Sequence, residues 1–133
     1  MHGYIGNIEE ASKENRNFRK VLYTSTYCQL VVMSIPPGGE IGKEVHGLDQ
    51  FIRVEAGEGR FILDGTAHAA TDGWAIVVPA GARHNVVNMS ASEQLKLYTL
   101  YSPPNHRDGV LHATRAIAER DNEHFDGKLS EPR

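Results

Sequence analysis

The sequence predicts an all-β fold, a sandwich or barrel built as one domain. Two observations carry that reading. Short runs rich in Val, Ile, Leu and Tyr succeed one another between Val21 and Tyr101. Glycine and proline punctuate them at Pro36-Pro37-Gly38-Gly39, Gly57-Glu58-Gly59, Asp64-Gly65, Thr71-Asp72-Gly73 and Pro79-Ala80-Gly81. A chain of 133 residues is long enough to bury a single core.

The elements follow in order. Residues 7–19 are polar, with Asn7 as a helix N-cap and Ile8 and Phe18 as anchors, so a short helix or an irregular arm is expected. Val21–Thr24 and Tyr27–Ile35 read as strands. Pro36-Pro37-Gly38-Gly39 ends them, because proline removes ladder donors and glycine permits a sharp turn. From Gln50 to Glu55 the chain alternates. Gln50, Ile52 and Val54 share one face, and Phe51, Arg53 and Glu55 share the other. Arg60–Leu63, Trp74–Val78, His84–Asn88 and Leu95–Tyr101 complete the strands, and Ser102-Pro103-Pro104 stops the last one. Beyond it, Ala113–His124 is compatible with a helix anchored by Ile117, and Phe125–Arg133 is polar and expected to fray. The arm spans 1–20, the barrel 21–101 and the C-terminal extension 102–133.

Composition narrows the function. The net charge is −3 and no dense Lys/Arg run occurs, so the electrostatic footprint of a nucleic-acid binder is missing. The longest apolar run, Trp74–Ala80, is far too short to span a bilayer. The first residues lack the basic and apolar regions of a signal peptide. The single cysteine, Cys28, cannot close an intramolecular disulfide, which fits a reducing compartment. A cytoplasmic protein without membrane or nucleic-acid partners is expected.

Two segments carry the chemistry. The downstream one reads Gly73, five residues, Pro79-Ala80-Gly81, two residues, His84, three residues, Asn88. The upstream one reads Gly38, five residues, Glu44-Val45-His46, three residues, Gln50, six residues, Gly57. Together they resemble the two sequence motifs of the cupin superfamily. The second agrees at all five defining positions. The first agrees at Gly38, His46 and Gly57, with Glu44 where the family usually has His and Gln50 where it usually has Glu. The resemblance implies a double-stranded β-helix, or jelly-roll, barrel with short helical extensions at both termini. It also implies a shell of Glu44, His46, Gln50 and His84 around one divalent transition-metal ion.

The residues bear on that implication. Glu44 and His46, two apart in a strand, point to the same side, roughly 7 Å apart at the backbone. Gln50 lies in phase with Ile52 and Val54, so its amide needs a partner on a buried face. Leaving it unpaired costs on the order of 1–3 kcal/mol. Relative to the usual set, the exchange of His for Glu and of Glu for Gln preserves the formal ligand charge. Two imidazoles and one carboxylate also match the facial-triad donor set, and the site should tolerate Fe, Mn, Ni, Co or Zn. Glu44 is a direct ligand or a hydrogen-bonding neighbour of one, and Gln50 is a direct ligand or the group that orients a bound water. Gly38, Gly57, Gly73, Pro79 and Gly81 form turns, and Asn88 ties one down. Gln29, Arg83 and one of Tyr98 and Tyr101 are candidates for the pocket. His106 and His112 would join it only if the extension covers the barrel mouth.

Three functions fit. The first is a metal-dependent enzyme on a small oxygen-rich metabolite, isomerase-like or dioxygenase-like. The second is a non-catalytic cupin that binds a small carboxylate or sugar. The third is a barrel whose metal site has decayed. A homodimer is expected by resemblance, and because Phe51 faces away from Gln50 and would be exposed in a monomer unless another element covers it.

Overall fold

The computed structural model describes residues 1–132. Among these, the elements are α1 (Ile8–Glu14), β1 (Arg19–Thr24), β2 (Gln29–Ile35), β3 (Glu44–Val45), β4 (Asp49–Ala56), β5 (Glu58–Leu63), β6 (Thr66–Thr71), β7 (Ala75–Val78), β8 (Arg83–Asn88), β9 (Leu95–Ser102), β10 (Leu111–His112) and α2 (Arg115–Arg120). The strands form two antiparallel sheets. One runs β10-β1-β2-β9-β4-β7 and the other β3-β8-β5-β6.

Alternation fixes which side chains meet between the sheets. Gln50, Ile52 and Val54 of β4 are buried in sequence, as the period-2 pattern requires. They join Val31, Met33 and Ile35 of β2 and Leu95 and Leu97 of β9. From the small sheet come Phe61, Ala70 and Val86. Register then sets the polar end of this interior. Gln29 and Gln50 both pair with Tyr101, and Glu44 pairs with His84. Gly57 is one glycine whose identity is forced. Its φ is +92° and a Cβ there would lie 2.6 Å from the Gln94 carbonyl oxygen.

Both termini are short helices against the barrel. In α1 the Asn7 side chain accepts from the Glu10 amide, and the helix packs on β2, β4 and β9. Helix α2 is capped by Thr114, whose Oγ1 accepts from the Ile117 amide. The helix expected over Ala113–His124 is confined to this one short segment, because Asp121 adopts an extended backbone.

Three expectations are corrected. Thr66–Thr71 is a full strand although its Ala/His/Thr sequence has weak β-propensity. Leu111–His112, in the extension, adds a strand to β1. Within the described residues, the stretch from Phe125 is tied back to the barrel instead of fraying. The Phe125 amide donates to the Asn105 carbonyl, and the Ser130 amide donates to that of Thr24. Glu131 accepts from the His2 and Gly3 amides and from Tyr23 Oη, clasping the two termini together. Arg133 lies outside the described residues.

Candidate metal centre

Three elements deliver the predicted side chains to one end of the interior. Strand β3 is only two residues long, and its pairing with β8 sets Glu44 opposite His84. The chain then leaves the ladder at His46, whose carbonyl accepts from the Gly81 amide. That bond ties the first motif to the turn of the second. Donor atoms of Glu44, His46 and His84 all lie within 4.8 Å of one another, a grouping that could hold a metal ion. The His46 and His84 rings are 5.0 Å apart between centroids and tilted at 52°.

Each ring nitrogen has a role. His84 Nδ1 donates to the Ala82 carbonyl at 3.1 Å, which leaves Nε2 with its lone pair free. His46 Nε2 sits 2.6 Å from Glu44 Oε2. Nε2 is buried, and the Glu44 carboxylate is the polar group that faces it. Burial pushes the Glu44 carboxyl up, but the adjoining His46, with Arg19 and His84, outweighs it and holds Glu44 below its ordinary value. Glu44 is therefore a carboxylate at neutral pH.

Gln50 is 4% exposed and enters from the second position of strand β4. Its Nε2 donates to Thr99 Oγ1 at 3.0 Å, and Oε1 is buried without a partner. An amide oxygen, an imidazole nitrogen and a carboxylate are donors that suit a first-row divalent ion. The residues present fit such an ion.

The surroundings match some expectations. Tyr101 is inward and Tyr98 outward, on opposite faces of β9. The Tyr101 ring meets His46 edge-on at 6.0 Å and His106 at 5.1 Å. Burial pushes its hydroxyl pKa far up, so it remains a donor. Gln29 is buried but occupied. It donates to Thr24 Oγ1 and the His106 carbonyl, and accepts from the Asn105 and His106 amides. Arg83 is exposed on the outer side of β8. It lines a cleft of about 570 Å³ with Lys43, Val45 and Ile62, to which Glu44 and His84 also contribute. Phe51 is half-buried, its ring 6.1 Å from that of Tyr98, so it is less exposed than its face suggested.

The extension does cover this end of the barrel. His106 and His112 are buried. His106 Nδ1 contacts Glu123 Oε2 at 2.9 Å, and Asn105 Nδ2 lies 3.3 Å from the other ring nitrogen. His112 Nε2 contacts Asp121 at 2.9 Å, and its Nδ1 lies 3.3 Å from an Arg19 terminal nitrogen. Arg19, Thr99 and Glu123 were missed from sequence. Arg19 and Thr99 carried a weak signal, since each is two residues from a residue that wants burial, Val21 and Tyr101. Glu123 carried none.

The chain is similar to known proteins in sequence and in fold. The family model described as "Cupin domain" matches residues 31–101. The chain is 41% identical over 122 residues to the uncharacterized protein YrkC of Bacillus subtilis (strain 168), covering 86% of this chain and 65% of YrkC. It is 41% identical over 117 residues to an uncharacterized protein of Acanthamoeba polyphaga mimivirus, covering 84% of this chain and 72% of that one. The crystal structure of BH2720 from Bacillus halodurans superposes with a TM-score of 0.88 at 41% identity, over 90% of this chain and 96% of that one. The fold and the two motif halves define a β-barrel of the jelly-roll class. The chain belongs to the cupin family. It spans about two thirds of YrkC, so it corresponds to part of that relative. Among the described residues, no helix is long and apolar enough to cross a membrane.

Proposed function

We propose that this cupin is a metal-dependent enzyme acting on a small oxygen-rich molecule. In this reading Glu44, His46, Gln50 and His84 hold one divalent transition-metal ion (Fe, Mn, Ni, Co or Zn). The observation that carries it is the convergence of Glu44, His46 and His84, whose donor atoms lie within 4.8 Å of one another, together with the buried and unpartnered Gln50 Oε1. Burying the Gln50 oxygen with nothing to bind is costly, and an ion would satisfy it.

When bound, a divalent ion supplies a Lewis acid that polarises a carbonyl, activates water or templates a substrate. The chain's own groups define the rest. Glu44 brings one negative charge. Thr99 fixes the Gln50 amide with its oxygen free. Tyr101, kept protonated by burial, can donate a hydrogen bond to an anionic or carbonyl oxygen. A ligand with adjacent oxygens, such as a hydroxy acid, keto acid, enediol or sugar, would suit an ion held by these four residues. Isomerase-like and dioxygenase-like chemistry both remain within this reading.

One observation favours a second reading, a non-catalytic cupin that binds a small carboxylate or sugar. Isomerisation needs a free proton acceptor beside the substrate. Both ring nitrogens of His106, the histidine nearest Tyr101 in the extension, are already engaged, by Glu123 and Asn105.

The test is elemental analysis of protein purified without added metal, with the His46→Ala/His84→Ala variant beside it. Near-stoichiometric metal that disappears in the variant supports the centre. Iron then favours oxygen chemistry, and manganese, nickel or zinc an isomerase-like or binding role. Absence of metal even after reconstitution overturns it.

Three subsidiary readings accompany it. The described chain acts as one domain of arm (1–20), barrel (21–101) and extension (102–133). It forms a homodimer, supported by the part of Phe51 that Tyr98 leaves uncovered and by exposed Trp74 and Val77 along edge strand β7. A monomeric mass by light scattering at micromolar concentration would refute the dimer. It resides in the cytoplasm, supported by the exposed free thiol of Cys28.

A further inference from the structure

The cleft of about 570 Å³ beside Arg83 lies on the outer face of the small sheet. Along β8, His84, Val86 and Asn88 turn inward, so Arg83 and Asn85 take the opposite side. Val45 of β3 pairs with Arg83, and Ile62 of β5 pairs with Asn85. These four residues make one patch on that face, with Lys43 and Gly65 at its margins. Glu44 and His84 border the cleft from strands whose other face carries the metal centre. Its place beside His84 in the sequence made Arg83 a candidate for the metal pocket. Strand parity puts it on the reverse face instead.

The floor is apolar, from exposed Val45 and half-buried Ile62. The side-chain polar groups left free here are donors. Among the described residues neither Lys43 nor Arg83 forms a salt bridge. Asn85 is 6% exposed. Its Oδ1 accepts from the Gly42 and Val86 amides at 2.9 and 2.8 Å, which fixes the orientation of the amide. Nδ2 is the end left over, on a buried residue that lines the cleft, and an acceptor placed there would satisfy it. Apolar walls with a few convergent polar groups, in a volume of this size, are the make-up of a small-molecule site. Two carboxylates adjoin it. Glu44 is turned to His46, and Asp64 Oδ1 accepts from the Arg83 amide. With those charges close by, a singly charged anion fits better than a doubly charged one.

We propose that this cleft is a ligand site outside the barrel, and that it takes a small monocarboxylate with an apolar body. The carboxylate pairs with the Arg83 guanidinium, Lys43 adds a second positive charge, and Asn85 Nδ2 donates a hydrogen bond. The apolar body lies on Val45 and Ile62. The site uses the reverse face of β3 and β8, so it stands whether or not an ion occupies the metal centre.

The experiment is a titration of the nitrogen-15-labelled full chain, followed through its amide resonances. Three probes are compared: hexanoate, 1-hexanol with the same chain but no charge, and acetate with the charge but no chain. Hexanoate should move the amides of Lys43, Val45, Ile62, Gly65 and Asn85 to saturation. It should bind about tenfold more tightly than either control. In Lys43→Gln/Arg83→Gln, which alters two exposed side chains, hexanoate affinity should fall about tenfold while the unliganded spectrum keeps its dispersion. Val45→Asp, which sets a negative charge on the floor, should weaken it at least as much. Equal hexanoate affinity in the double variant overturns the proposal. So does an equal response to 1-hexanol, which would mark a merely apolar patch, and so do shifts centred on His46, Gln50 and Tyr101, which would put the carboxylate inside the barrel. Light scattering covers the remaining alternative. A wild-type dimer that becomes monomeric in Val45→Asp would mean that a second copy of the chain covers the cleft, and the proposal would fall.

Discussion

Gln50 Nε2 donates to Thr99 Oγ1 at 3.0 Å, and this single bond decides which end of the Gln50 amide is left free. With the nitrogen occupied, the oxygen is the end that stays unpaired in the interior. The bond is possible because β4 and β9 are neighbours and Ile52, two residues on from Gln50, pairs with Thr99. Thr99→Val keeps the shape but removes the acceptor. The amide is then free to turn, and its buried nitrogen competes for whatever the oxygen had. Loss of a group that orients a metal ligand typically weakens binding about 10–100-fold. Competition with a chelator, followed by metal content, should show a drop of that size in Thr99→Val with the far-UV spectrum unchanged. Unaltered affinity would mean that Gln50 does not serve the ion through its oxygen.

The His106–Glu123 contact predicts how the extension responds to acid. The two side chains are 8% and 5% exposed. Burial pushes His106 below its ordinary 6.5, against the opposing pull of Glu123. Burial pushes Glu123 up, but His106 and the Arg107 amide outweigh it and hold the carboxyl below 4.5. Both groups therefore bind protons more readily in the unfolded chain. Their contribution is complete above about pH 6.5 and falls as the pH drops, first through the histidine and then through the carboxylate. Hydrogen exchange across 103–125 should quicken as pH is lowered from 7 to 4, after correction for intrinsic rates, and before exchange rises in β2 or β9. In His106→Asn the part of this change between pH 6.5 and 4.5 should largely vanish. Protection of the extension that is constant over the range would remove the latch from the account.

How much of this was legible in the sequence depends on the range over which each feature is encoded. The alternation of Gln50, Ile52 and Val54 is local, and it gave the inward face of β4 directly. The Pro79-Ala80-Gly81 turn and the spacing to His84 are local too. The meeting of Glu44 with His84 is not, but the two motifs encode it jointly. By contrast, Thr66–Thr71 is a strand only because β5 offers it a partner across the Asp64-Gly65 turn, and its own residues barely favour extension. Arg19 stood at the edge of a strand, where a charged side chain ordinarily reaches solvent. Burying it takes the extension folded back over the barrel, including His112, 93 positions away. Glu123 and Glu131 depend on equally remote partners, so local pattern could not assign them. The fold was encoded in short-range pattern, and the closure of the site was encoded in long-range contacts of a polar tail.

Asn88 closes the second motif, and its side chain is saturated. Its Nδ2 lies within hydrogen-bonding distance of the carbonyls of Ile35, Pro36 and Glu93, at 2.9, 3.1 and 2.8 Å. Its Oδ1 accepts from the Ser90 amide at 2.9 Å. One amide thus links the end of β2, the turn after it and the loop before β9, and it does so from a buried position. None of its contacts involves Glu44, His46, Gln50 or His84, so the residue works for the fold and not for the ion. Asn88→Ala strands up to three buried carbonyls and one amide, which should cost about 2–4 kcal/mol. Asn88→Asp should be no better, because a carboxylate cannot donate and would face carbonyl oxygens. Urea denaturation should show both variants destabilised with similar slopes, while metal content per folded molecule stays at the wild-type level. A variant that keeps wild-type stability but loses metal would reverse the assignment and make Asn88 part of the centre.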